Sequence, residues 1–104
     1  MKNMIVLITA ANKKEAEKIA GGLIAKRLAA CVNIVDKINS LFWWQGKVDR
    51  AKEVLLVVKT KQSAFKKIIR EVKKLHSYDL PEIIAIPIIA GEKKYLRWLN
   101  ESIR

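Results

Sequence analysis

The chain has 104 residues, 51% of them hydrophobic and 30% charged, and 21 Lys and Arg against 10 Asp and Glu leave a formal charge of +11. That length suits one domain over residues 1–104, and the apolar content excludes a disordered chain. The positive surplus first suggests nucleic acid, an anionic surface or an acidic partner, while a lone cysteine excludes an intrachain disulfide.

A reduced, cytoplasmic setting is the expectation that follows. The apolar run Met4 to Ile8 is shorter than the core of a secretion signal, so no targeting segment is expected. No apolar stretch approaches the roughly 18 residues of a membrane span, so no membrane role is expected.

In chain order, Met4 to Ala10 is a nearly continuous apolar run and reads as a first strand. Asn12 offers a capping oxygen, with Glu15 three residues on as a capping-box partner. Ala16, Ile19, Ala20, Leu23, Ile24 and Leu28 then recur at helical spacing, predicting a helix from about 13 to 29. Gly21 and Gly22 weaken it and are read as sites of close packing on the sheet. Cys31 to Ile38 reads as a second strand that continues toward Leu41-Phe42-Trp43-Trp44. Gln45-Gly46-Lys47 is a hairpin turn with Gly46 at positive φ, and a third strand rises through Glu53 to Thr60.

Phe65, Ile68, Ile69, Val72 and Leu75 predict a second helix, capped by Thr60 or Ser63 and stopped by the loop His76 to Glu82. Ile83 to Ile89 reads as a fourth strand. Pro87 cannot donate to a ladder, which sends this strand to a sheet edge. A last helix over about 92–103 carries Tyr95, Leu96, Leu99 and Ile103 on one side. The order βαββαβ plus a terminal helix gives an α+β, ferredoxin-like sandwich with an antiparallel sheet and edge strands two and four.

Such a sheet, covered on one face only, should alternate apolar and polar residues. Met4 to Ile8, Val54 to Val58 and Ile83 to Ile86 do not, so a homo-oligomer with sheets facing inward is expected. Adjacent Trp43 and Trp44 point to opposite sides of a strand, so at most one can enter its own core. Phe42, Trp43 and Trp44 are therefore read as a subunit interface.

Arg27-Leu28-Ala29-Ala30-Cys31-Val32-Asn33, Phe42-Trp43-Trp44-Gln45-Gly46-Lys47, Glu53 through Thr60, His76 through Ile83 and Tyr95-Leu96-Arg97-Trp98-Leu99 together resemble the CutA divalent-cation tolerance proteins. The resemblance spans almost the whole chain. It implies a homotrimer built like the PII signalling proteins, a link to copper and other divalent metals, and no organic cofactor. It also implies a small-ligand cleft between subunits that would draw on Lys59, Tyr78 and Trp98.

His76 is the only histidine, and imidazole suits Cu2+ and other divalent metals. Asp79 and Glu82 follow at three-residue steps and could add oxygens, and Cys31 is a soft candidate ligand or a small buried hydrophobe. Glu53 and Lys59 could form an ion pair. No nucleophile–base pattern, CxxC or HExxH occurs, so the chain reads as non-enzymatic. Lys66, Arg70, Lys73 and Lys74 form a cationic stripe on the second helix. The third strand has no aromatic platform, so only weak, sequence-independent nucleic-acid binding stands as an alternative.

Overall fold

The computed structural model describes residues 3–104. Met1 and Lys2, which precede the apolar run weighed above as a signal, lie outside the described residues.

The described residues form four strands and three α-helices in the order β1 (Asn3–Ala10), α1 (Lys13–Ala25), β2 (Cys31–Trp44), β3 (Lys47–Lys61), α2 (Phe65–Leu75), β4 (Ile83–Pro87) and α3 (Lys93–Ser102). The sheet is antiparallel with order β2-β3-β1-β4, the ferredoxin-like arrangement expected from the element order. Pro87 closes edge strand β4, two residues before the predicted end. No helix among the described residues is long and apolar enough to cross a membrane.

Alternation along the strands decides which face meets the helices. Val6, Ile8 and Ala10 of β1 and Val54, Leu56 and Val58 of β3 are buried. They pack with Ile19 and Leu23 of α1, Ile68 and Val72 of α2, and Leu99 of α3 in one apolar core. Burying a Leu or Ile side chain stabilises by roughly 1.5–3 kcal/mol, so this layer is the main source of cohesion. Thr60, in β3 rather than at a helix cap, satisfies its hydroxyl by donating to the Leu28 carbonyl at 2.6 Å. A short 3-10 turn, Gln62–Ala64, precedes α2 instead of a side-chain cap.

α1 ends at Ala25, earlier than its apolar spacing suggests. The N–H of Arg27 bonds the Ile24 carbonyl and the N–H of Leu28 reaches back to Leu23 at 3.0 Å, the pairing of a Schellman motif. Arg27 holds the left-handed position, φ 58°, that glycine usually fills. Gly22 allows close approach to α2 rather than to the sheet. A Cβ there would stand 3.1 Å from Leu75 Cδ1 and 3.3 Å from Glu71 Oε2, whereas one at Gly21 would meet nothing.

The opposite face of the sheet carries Ile86, Ile5, Lys59 and Cys31 in one row, Ile84, Leu7, Val57 and Asn33 in the next, and Leu55 beside Val35. Ile84 and Ile86 are 51% and 48% exposed. No element of the described chain covers this apolar face.

Beyond a β-bulge between Val35 and Ile38, where Lys37 takes φ 61°, β2 and β3 continue as a two-stranded arm. β3 thus begins at Lys47, well before Glu53. Gln45 and Gly46, both at positive φ, form the two-residue turn at its tip. The arm accounts for a long axis of 44 Å against 26 and 23 Å. Neither Trp enters the core, and Trp43 is 76% exposed.

Candidate functional site

At the end of the sheet where the arm leaves it, the loop after α2 folds over β1 and β3. His76 ends α2, and its side chain is fully buried. Its Nδ1 accepts from the backbone N–H of Tyr78 at 3.0 Å, so the ring proton sits on Nε2, which donates to the Thr9 carbonyl at 2.6 Å. The Tyr78 ring leans on the imidazole with centroids 4.7 Å apart. Its hydroxyl donates to Glu53 Oε2 at 2.9 Å. Burial, followed by the bond to Glu53 and that carboxylate's charge, pushes the Tyr78 phenol up to about 12.

Glu15 ties the same loop to the start of α1. Asn12 caps the helix by accepting from the Glu15 N–H at 2.8 Å. The carboxylate does not complete a capping box with Asn12; Oε2 accepts from Ala11 N–H and Oε1 from Ser77 N–H, each at 2.8 Å. Burial acts to raise this carboxyl, but the hydrogen bonds from Ala11 and Ser77 and the neighbouring His76 hold it below its ordinary value.

Between this loop and the arm lies an open cleft of about 760 Å³. Leu41, Phe42, Trp43, Trp44 and Leu80 supply apolar wall, and Asp49, Glu53, Asp79 and Glu82 set four carboxylates against the single guanidinium of Arg50. The cleft therefore offers oxygen donors and negative charge beside aromatic surface.

Several expected site residues lie elsewhere. His76 has both nitrogens engaged within the fold, so it is a structural joint. Cys31 sits at the far end of the sheet, half-buried, with Lys59 Nζ 3.9 Å from its sulfur. Among the described residues no three of His, Cys, Asp and Glu stand close enough to hold a metal ion. One protomer therefore does not gather His76, Asp79, Glu82 and Cys31 around a metal, and Cys31 could reach a His76 loop only across a contact between subunits. Lys59 lies six residues along β3 from Glu53, about 20 Å away, so these two form no ion pair within one protomer. Trp98 stacks against Tyr95 on α3, with centroids 5.4 Å apart, and does not line the cleft. Of the three ligand-cleft candidates, one protomer brings only Tyr78 to it. Thr9, Asp49 and Arg50 carried no local signal and Glu15 signalled only a helix cap; their roles at the site arise from strand register and chain return.

A ferredoxin-like sandwich with one open apolar face, an aromatic arm and an acidic cleft at its base defines the class of protein. Residues 4–102 match the family model of the CutA1 divalent ion tolerance protein, and the chain belongs to that family. It is 49% identical over 98 residues to the divalent-cation tolerance protein CutA of Thermus thermophilus, covering 94% of this chain and 95% of that one. It is 46% identical over 102 residues to the chloroplastic protein CutA 1 of rice, and spans 58% of that protein's length. The chain thus spans little more than half of the plant relatives. The solved Thermus thermophilus structure superposes with a TM-score of 0.97 at 47% identity, covering 98% of this chain and 99% of that one. The rice CutA1 crystal structure gives 0.96 at 45% identity, covering 100% and 95%. The family is named for tolerance of divalent ions and not for a catalysed reaction.

The expected cytoplasmic setting is overturned by these relatives. The rice and Arabidopsis proteins are named chloroplastic, and the Archaeoglobus fulgidus structure is that of a periplasmic divalent cation tolerance protein. A single cysteine is compatible with any of these compartments, which is why composition misled.

Proposed function

We propose that the protein works as a non-enzymatic homotrimer of PII-like design, and that the cleft beside each arm, closed by a neighbouring copy, takes a divalent cation or a small polar ligand. The observation that carries this reading is the uncovered face built on Ile5, Leu7, Leu55, Val57, Ile84 and Ile86. An apolar sheet face of this kind is stable in water only when another surface covers it. The exposed Trp43 and Trp44 extend that surface along the arm.

The tolerance for divalent cations in the names of the relatives supports the cation half of the reading. Carboxylates such as Asp79 and Glu82 favour harder cations over Cu(I), which prefers sulfur. A trimer also gives Lys59, Trp98 and Cys31 of one copy a route to the cleft of another.

Sedimentation equilibrium at micromolar concentration should return the mass of three chains; a stable monomer would refute the assembly. Titration with Mn2+ and Cu2+ then tests the cleft. The Asp79→Asn/Glu82→Gln double variant should lose about tenfold in affinity, and unchanged affinity for both ions would remove the cation role.

A further inference from the structure

We infer that a groove between α1 and α2, on the helical side of the molecule, binds a compact oligophosphate anion. The groove encloses about 300 Å³, at the small end of ligand sites. Lys26, Lys67, Arg70, Lys74 and Arg104 line it with Glu71, five cations against one carboxylate.

Glu71 gives the cluster its order. It is only 8% exposed, and Oε1 lies 2.7 Å from Lys26 Nζ and 3.9 Å from Lys74 Nζ. One carboxylate thus holds an ammonium group from the residue that ends α1 beside one from α2. Among the described residues no carboxylate stands within ion-pair distance of Lys67, Arg70 or Arg104. Lys67, Arg70 and Lys74 share one face of α2 by their spacing of three and four. Their mutual repulsion is relieved by an anion carrying several charges, and a guanidinium adds a fork suited to phosphate oxygens.

The features favour a compact phosphate chain over nucleic acid. No aromatic side chain lines the groove, so bases have nothing to stack on. Lys66 and Lys73, the other members of the α2 stripe, lie outside the lining, so the charge converges on a spot instead of tracking a strand. The groove uses neither the open sheet face nor the arm, so its occupancy stands apart from the assembly and cation readings.

The test is calorimetric titration of the full chain with inorganic triphosphate at low salt. The Lys67→Gln/Arg70→Gln variant should bind about tenfold more weakly or worse, while Lys66→Gln/Lys73→Gln, which removes equal charge, should stay close to the original. All four side chains are exposed, so both variants retain the fold. Absence of binding to the unaltered protein, or equal loss in the two variants, would overturn the site. A single-stranded oligonucleotide that displaces triphosphate and is weakened equally by both variants would also overturn it, in favour of diffuse charge binding.

Discussion

His76 joins the end of α2 to the end of β1 through a single bond, Nε2 to the Thr9 carbonyl at 2.6 Å. The same ring accepts from Tyr78 on its other nitrogen, so the imidazole is a brace between helix, strand and loop. His76→Ala should therefore destabilise by about 2–4 kcal/mol, from a cavity and two lost hydrogen bonds. Denaturant unfolding measures the loss, and cation titration of the folded variant should show little change. A variant as stable as the original, but defective in cation binding, would return the residue to the role of ligand.

Glu15 makes the protein sensitive to acid in a defined window. Its carboxyl ionises below its ordinary value of 4.5 in the folded state, so its contribution is fully present above that pH. The contribution is lost as pH falls through the lowered folded value, because the unfolded chain takes up the proton first. Glu15→Gln should flatten the decline of stability below about pH 4.5. Unfolding midpoints measured across the acid range give the comparison, and parallel curves would show that Glu15 contributes nothing to it.

Tyr78 acts at the other end of the scale. The free phenol ionises at 10.0 and the folded one at about 12, so the folded state holds its proton longer. The stabilisation is present below 10.0 and is lost as pH rises through that interval. An ultraviolet titration should show a tyrosinate component near 12 that disappears in Tyr78→Phe. Loss in Tyr78→Phe of a component near 10.0 instead would mean that the bond to Glu53 does not persist in solution.

The two adjacent glycines of α1 should respond with different energies. An alanine at Gly21 meets open space and should stabilise by about 0.5–1 kcal/mol through lower backbone entropy. At Gly22 the added methyl crowds Leu75 and the carboxylate of Glu71, so Gly22→Ala should fall short of Gly21→Ala by about 1 kcal/mol. Thermal melts of the pair settle it; equal gains would show that α2 yields without cost.

Strand and helix order was legible because the apolar run of β1 and the helical spacing around Ile68, Val72 and Leu99 coincide with residues the fold buries. Pro87 announced an edge because its missing donor is a local property. The end of α1 was not legible, since Arg27 occupies a left-handed position that normally signals itself through glycine. The length of the arm escaped for a different reason. Lys47 to Lys52 is largely polar, and only its register against Ser40 to Trp44 makes it a strand. In the cleft, Asp79 and Glu82 stood out as neighbouring carboxylates of one loop, whereas Tyr78 came from the family resemblance. Glu15 and Glu53 reach that loop from 62 and 25 residues away, and no spacing rule joins residues so far apart. The metal reading of His76 rested on residue type, on the nearby Asp79 and Glu82 and on the family resemblance, none of which says whether both ring nitrogens are already in use.

The two ends of the sheet bear on how copies of this chain meet. On β4 the strand is five residues long and closes on a proline with no N–H to give. On β2 the bulge at Asp36 and Lys37 interrupts the ladder just before the arm. A five-residue β4 closed by proline and a β2 kinked at its bulge are poor templates for long, regular strand addition, so growth into an open ribbon or fibril is disfavoured. In the trimer proposed above, copies meet through the apolar sheet face instead, a contact that closes after three subunits and leaves nothing to propagate.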